Sequence, residues 1–326
     1  MSLDADYIVD RRRLRRKLTF WRAFAIIVVI AALGAAAISV SGIDQLAEPT
    51  SGQIARVTIS GLIRGDRERT EALEKLGKSH ARAVIVHVDS PGGTTAGSEQ
   101  LHDALLRLAE KKPMVVVVDG MAASGAYIAA MASDHIVAMD TSLVGSIGVL
   151  FQYPNVSDLL KTIGVKVEEI KSSPLKAAPN GFEPTSPEAR AALEAIVKDS
   201  YAWFRGMVQN RRHIDGEALD RVADGRVFTG RQAIELKLVD EIGNERTAVA
   251  WLAKAKGIDA NSTIRDYRLR SRLDQLSFLH LGMATVLDGL GLHSFARQLE
   301  ETGTLRAIDQ LDLDGLLALW HPAATN

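Results

Sequence analysis

One hydroxyl, Ser124, stands in the run DGMAASGAYIAA, residues 119–130, among alanines and glycines and directly after the apolar PMVVVVDG. A serine oxygen becomes a useful nucleophile only when a neighbouring base removes its proton. The attack also needs hydrogen-bond donors where the oxyanion forms. Two stretches could supply donors. VDSPGGTTAG, residues 88–97, places Gly92 and Gly93 in a turn between an apolar run and a helical one, where backbone N–H groups can approach a ligand closely. Gly125 follows Ser124 at the start of a second helical run. The plain structural alternatives are a tight strand-to-helix turn and a serine tolerated in small-residue packing.

A base is harder to place. The histidines are His80, His87, His102, His135, His213, His280, His293 and His321, and none follows Ser124 in a loop that evidently returns to it. A lysine can serve instead when its surroundings favour the neutral amine. The loop KSSPLKAAPNG, residues 171–181, carries Lys171 and Lys176. On residue type alone either could act, and either could be an ordinary surface lysine.

The elements that must position these groups read as an alternation. IARVTIS (54–60), RAVIVHVD (82–89), PMVVVVD (113–119) and HIVAM (135–139) are strand-like. Between them, residues 66–79, 95–112 and 124–133 have helical character. Nearly continuous apolar runs suit strands buried on both faces, and strand–helix alternation predicts an α/β fold around a parallel sheet. In such sheets the strand-to-helix turns gather on one edge, where ligands bind. Beyond Thr141 the chain is punctuated by glycine, VKVEEIK (165–171) is a further strand candidate, and 186–212 reads as a long amphipathic helix capped by Ser186 with Pro187 in its first turn. Two shorter helices and LVDEIG bring this domain, residues 54–257, to its end. Residues 258–326 read as a helical extension, expected as two helices on the domain's own surface, with a lid, an oligomer contact or a membrane-surface helix as alternatives.

Composition sets bounds. The chain has 326 residues, a net charge of −1 and no cysteine. That excludes a disulfide framework and a thiol nucleophile, and gives no reason to expect nucleic-acid binding. Residues 1–22 hold seven Arg or Lys against three Asp, and residues 23–43 are uncharged and apolar. That length matches a bilayer core of about 30 Å. The basic flank predicts a cytoplasmic N-terminus, a single-pass anchor at 23–43 with Trp21 at the interface, and a linker at 44–53. A cleaved secretory signal, with GAAAIS as its small-residue site, is the alternative.

Five stretches taken together, VDSPGG, DGMAASGAYIAAMASDHIVA, VGSIGV, EEIKSSPLKAAPNGFEPTSPEAR and DGRVFTGRQAIELKLVDEIG, resemble the signal peptide peptidase A family in its short single-domain form. The likeness spans about residues 53–256, in order. It implies a core like that of Clp protease and the crotonases, a stacked β-α superhelix of ββα repeats behind one transmembrane helix. It also implies a membrane-anchored serine endopeptidase that uses a Ser/Lys dyad and needs no cofactor or metal. Carried over by position, Ser124 is the nucleophile, Lys176 the general base, Ser146 the serine that holds the lysine, and Gly93 with Gly92 and Gly125 the oxyanion donors. The Clp protease pattern would have a histidine near Gly148, and this sequence has none. The resemblance further implies a homo-oligomeric ring and peptide substrates, remnant signal peptides among them, cleaved at the outer face of a bacterial inner membrane. A crotonase-like acyl-CoA enzyme and an inactive peptide-binding scaffold are the competing readings.

Overall fold

Three long strands run parallel at the centre: β1 (Ile54–Ser60), β2 (Ala83–Ser90) and β4 (Met114–Ala123). In the computed structural model, which describes Lys17, Phe20, Trp21, residues 52–269 and residues 317–319, each strand's period of two sends alternate side chains to opposite faces. Val84, Val86, Val88, Val116 and Val118 join one buried cluster, and Ile85, Val115 and Val117 join the other. The first face is covered by α1 (Arg67–Lys78), α2 (Thr95–Ala109) and α3 (Gly125–Ala130), which contribute Leu73, Leu76, Leu101, Leu105, Tyr127 and Ile128. The second is covered further along the chain by α8 (Glu245–Lys256), through Ala248 and Leu252. Each fully buried Val, Leu or Ile contributes roughly 1.5–3 kcal/mol. Both faces being covered explains why these strands read as continuous apolar runs.

The sheet forks at β4. Val115–Val118 pair with β5 (His135–Ala138), whereas Met121–Ala123 pair with β6 (Leu143–Gly145). β6 pairs antiparallel with β7 (Val227–Thr229), β5 continues to β8 (Glu241–Ile242), and β9 (Ile264–Asp266) adds to β1 on the far edge. The sheet therefore does not end at residue 257. The fork carries β4 past the Asp119-Gly120 pair that reads as a strand end, so that Ser124 follows its last residue. A second, two-stranded sheet joins β3 (Gly92–Thr94) to β10 (Leu317–Leu319), antiparallel. The remaining helices are α4 (Ser157–Thr162), α5 (Pro187–Arg212), α6 (Gly216–Val222) and α7 (Gly230–Glu235). Ser186 caps α5 by accepting from the Ala189 N–H at 3.1 Å, with Pro187 as the first helical residue.

Two expectations change. Residues 165–171 form no strand, because no neighbouring strand pairs with them, and Val165, Val167 and Ile170 are exposed. The extension after 257 is strand where it is described, as β9 and β10; residues 270–316 lie outside the described residues, as does the expected anchor at 23–43. Among the described residues no helix is long and apolar enough to cross a membrane.

Candidate active site

Ser124 sits where β4 turns into α3, with φ 55° and ψ −118°. That positive φ is costly for a residue with a Cβ and persists only where the surroundings enforce it. Here they do. The Ser124 N–H donates to the Gly145 carbonyl at 2.7 Å, and the Ser124 carbonyl accepts from the Tyr127 and Ile128 N–H groups at 2.9 and 3.1 Å. The side chain is only 1% exposed, yet its hydroxyl makes no capping bond and has no hydrogen-bond partner among the described residues. A strained strand-to-helix corner that presents an uncommitted hydroxyl is the geometry of an activated-serine elbow. Gly125 is the first residue of α3, so its N–H lacks an intrahelical acceptor.

The second turn lies on the neighbouring strand. β2 pairs with β4 as far as Ser90 opposite Ala122, so the turn after Ser90 and the turn after Ala123 share one edge. The structure separates the two glycines there. The Gly92 N–H already donates to Ser90 Oγ at 3.1 Å, and that hydroxyl donates to the Gly61 carbonyl at 2.6 Å. The Gly92 N–H is thus committed within its own turn. Gly93 is held differently. Ile63 N–H donates to the Gly92 carbonyl at 2.8 Å and Thr94 N–H to the Ile63 carbonyl at 2.9 Å. Neighbouring residues of a strand face opposite edges, so the Gly93 N–H and carbonyl point away from Ile63. A Cβ at Gly93 would fall 1.8 Å from the Ile63 carbonyl oxygen, so only glycine fits.

Ser146 follows β6 as Ser124 follows β4, since Ala123 pairs with Gly145. It also has a positive φ, 51°, and its N–H donates to the Arg226 carbonyl at 2.8 Å. Ser146 is buried.

The candidate bases separate as well. Lys171 Nζ lies 2.6 Å from both Glu169 Oε2 and Glu183 Oε1. The bond to Glu169, then that to Glu183, raises its pKa and holds it charged. It is a structural cation. Lys176 is exposed, and its backbone N–H donates to the Ser173 carbonyl. Among the described residues it makes no ion pair, and no hydrogen bond joins it to Ser124 or Ser146. Residue type alone leaves the two lysines equivalent, and only the family resemblance singles out Lys176; the acidic residues that hold Lys171, Glu169 and Glu183, flank the loop in the sequence.

Histidines near the sheet are already engaged. His87 lies on the face that α8 covers, with Nδ1 2.9 Å from Asp119 and Nε2 2.9 Å from Glu245. His102 Nδ1 lies 2.8 Å from the Ile128 carbonyl, and burial pushes its pKa down. His135 stacks on Trp251 and contacts Glu241. The residues that sequence reading misses are Ser90, which accepts from the Gly92 N–H, and the strand Leu317–Leu319. Ser90 lies inside the quoted VDSPGG, and the short apolar run after Asp314-Gly315 is the signal for the strand.

Comparison with known proteins follows the same residues. The model of peptidase family S49 matches residues 107–259. A candidate protease of Synechocystis sp. is 35% identical over 249 residues, covering 74% of this chain and 89% of that one. The chloroplastic serine protease SPPA of Arabidopsis thaliana is 31% identical over 211 residues, which is 64% of this chain but 30% of that protein. Among solved structures, ClpP1 from Listeria monocytogenes aligns with a TM-score of 0.38 and 15% identity, over 59% of this chain and 93% of that chain.

Proposed function

From the premise that the chain belongs to peptidase family S49, the family of signal peptide peptidase A, and is a serine protease, we propose that Ser124 is its nucleophile and Lys176 its general base. The observation that carries this is the strained corner at Ser124, with an uncommitted hydroxyl beside the Gly125 N–H and one turn away from the outward-facing Gly93 N–H. Ser146, at the paired end of β6, is the residue that would steady the lysine.

The chemistry runs in two halves. Lys176, acting as the base, takes the Ser124 proton as Oγ attacks the scissile carbonyl, and the Gly93 and Gly125 N–H groups bind the oxyanion. The resulting ammonium gives its proton to the leaving amine as the C–N bond breaks. Water then attacks the acyl-enzyme, losing a proton to the same lysine; the bond between the acyl carbon and Ser124 Oγ breaks, the lysine returns the proton to Oγ, and the second product leaves with a new carboxyl group. Lys171 cannot substitute, because its two carboxylate partners keep it protonated.

Lys176 lies on an exposed loop rather than against Ser124, so the dyad needs either closure of that loop or a neighbouring copy. A ring of copies is supported by the apolar side chains this region exposes: Leu159, Ile163, Val165, Val167, Ile170 and Leu175. Exposed apolar side chains gathered within one segment of the chain suit an association surface. The basic 1–22 and apolar 23–43 segments support tethering of the protease to a membrane, with the catalytic domain on the extracytoplasmic side of a bacterial inner membrane. Peptides released near that surface, remnant signal peptides among them, are the proposed substrates.

Casein and signal-peptide hydrolysis by the full chain tests the proposal against Ser124→Ala. Wild-type turnover with none in the variant, at equal near-UV circular dichroism, is expected. Undiminished turnover by Ser124→Ala would remove Ser124 from the mechanism.

A further inference from the structure

The antiparallel pair of β6 and β7 stops one rung short of Ser146. Its last paired residues are Gly145 and Val227, so Ser146 and Arg226 face each other just beyond the ladder. Residues that form a hydrogen-bonded rung exchange both backbone bonds. Here one is made: the Ser146 N–H donates to the Arg226 carbonyl at 2.8 Å. The Arg226 N–H donates instead to Asp224 Oδ1 at 3.2 Å. Asp224 Oδ2 lies 2.5 Å from the Arg226 guanidinium, so one carboxylate holds that residue by its backbone and by its side chain. The turn between them has Gly225 at φ 90° and lies against the chain after Ser146: a Cβ on Gly148 would sit 3.5 Å from Gly225 Cα. Ser146 is buried at φ 51°, a costly conformation for a residue with a Cβ. A completed rung would draw it toward the extended conformation of the strand it follows, at negative φ.

We infer that Asp224 is a positioning residue for the peptidase reaction: by taking the Arg226 N–H it keeps the rung half made and Ser146 at positive φ, the conformation in which that hydroxyl serves Lys176. The inference rests on the reading of Ser146 as the residue that steadies the lysine. Two acceptors compete for the Arg226 N–H, the Asp224 carboxylate and the Ser146 carbonyl. A bond to an ionised acceptor is the stronger of the two, and an aspartate that accepts from the N–H two residues on closes a local turn. The carboxylate therefore wins while it is present. Without it the Arg226 N–H is left to Ser146, whose side chain turns as φ changes sign. Ser124 is held by other bonds, from its N–H to the Gly145 carbonyl and from the Tyr127 and Ile128 N–H groups to its own carbonyl. The nucleophile stays while the hydroxyl beside the base moves. The ion pair contributes little, because the Arg226 side chain is 63% exposed. The decisive contact is the oxygen on the backbone N–H, and asparagine carries an equivalent oxygen.

The test is steady-state hydrolysis of a fluorogenic peptide by the full chain, comparing wild type with Asp224→Ala, Asp224→Asn, Ser146→Ala and Ser146→Ala/Asp224→Ala. The rate of fluorophosphonate labelling at Ser124 gives the same comparison without a peptide. Asp224 is exposed, so its truncation leaves the core in place, and near-UV circular dichroism checks the fold. A misplacement of about 1 Å can cost about 10² in rate, so Asp224→Ala is expected to lower kcat about 10- to 100-fold with KM unchanged. Asp224→Asn should restore most of that loss. In the Ser146→Ala background the Asp224→Ala change is expected to cost nothing further, because a residue that acts through another is not additive with it. General damage to the scaffold would instead slow both backgrounds alike. Wild-type kcat in Asp224→Ala, an Asp224→Asn protein as slow as Asp224→Ala, or an equal further loss in the double variant overturns the inference. The two readings fail separately. Slow Ser146→Ala beside a wild-type rate in Asp224→Ala defeats the role of Asp224 alone. A wild-type rate in Ser146→Ala defeats the reading of Ser146, and the role of Asp224 falls with it.

Discussion

Replacing Gly93 with alanine adds one methyl group at the point where the proposed oxyanion donor touches the rest of the fold. The new Cβ would lie 1.8 Å from the Ile63 carbonyl oxygen, 2.5 Å from the Ile63 carbonyl carbon and 2.6 Å from the Ile63 nitrogen. All three are backbone atoms, so no side-chain rotation relieves the clash. Restoring an ordinary C···O contact of about 3.3 Å requires β3 or the Ile63 segment to move by about 1.5 Å. Overpacking of that kind costs about 1–3 kcal/mol, a fall of roughly 2–12 °C in Tm for a domain of this size. The effect on catalysis is larger, because loss of one oxyanion donor lowers kcat by about 10²–10³ and a misplacement of about 1 Å alone can cost 10². Gly120→Ala is the matched control: its Cβ would meet the Asp89 carboxylate at 2.5 Å, a side-chain end that can rotate away. Steady-state peptide hydrolysis and thermal unfolding of both variants, with near-UV circular dichroism to confirm the fold, make the comparison. A folded Gly93→Ala protein with wild-type kcat would refute the placement of the donor.

The two lysines give a paired prediction: Lys176→Ala should lower kcat by about 10²–10⁴, whereas Lys171→Ala should leave it within about twofold. Equal kcat in both would make Lys176 a surface lysine. Glu245 supplies a pH prediction. The hydrogen bond from Arg56, and then that from His87, hold its carboxyl below the ordinary value of 4.5. A depressed carboxylate pKa contributes stability that is fully present above the unfolded value and is lost as pH falls through the folded one. The stability advantage of wild type over Glu245→Gln, measured by urea unfolding, should therefore hold near pH 7 and shrink below about pH 4.5. An advantage that grows toward acid would reverse the assignment.

Where local rules and tertiary context agree, the chain is legible. The strand at residues 54–60 and the helix start at Ser186-Pro187 coincide with their observed bounds, because two-sided burial and capping are written locally. Met114–Ala123 is not. Asp119-Gly120 looks like a strand end, yet β6 supplies a new partner at Met121 and the strand continues to the nucleophile. The reverse holds at 165–171, whose alternation suits a strand that no neighbour completes. Among the site residues, Ser124 stands out by its surroundings, whereas Gly92 and Gly93 stand out only as a pair. That Gly92 is spent on Ser90 depends on a side-chain bond that spacing cannot reveal. Residue type leaves Lys171 and Lys176 level and the resemblance favours Lys176, but that Lys171 is tied down depends on where Glu169 and Glu183 fold. β10 meets β3 across more than 220 residues of chain, a pairing invisible to any local pattern.

Fluorophosphonate labelling of the full chain, read by intact mass and peptide mapping, tests the central claim most directly. The account predicts one adduct per chain, on the peptide holding Ser124, absent in Ser124→Ala and slowed in Lys176→Ala. An active protein whose adduct maps elsewhere, or that hydrolyses peptides without forming one, would contradict it.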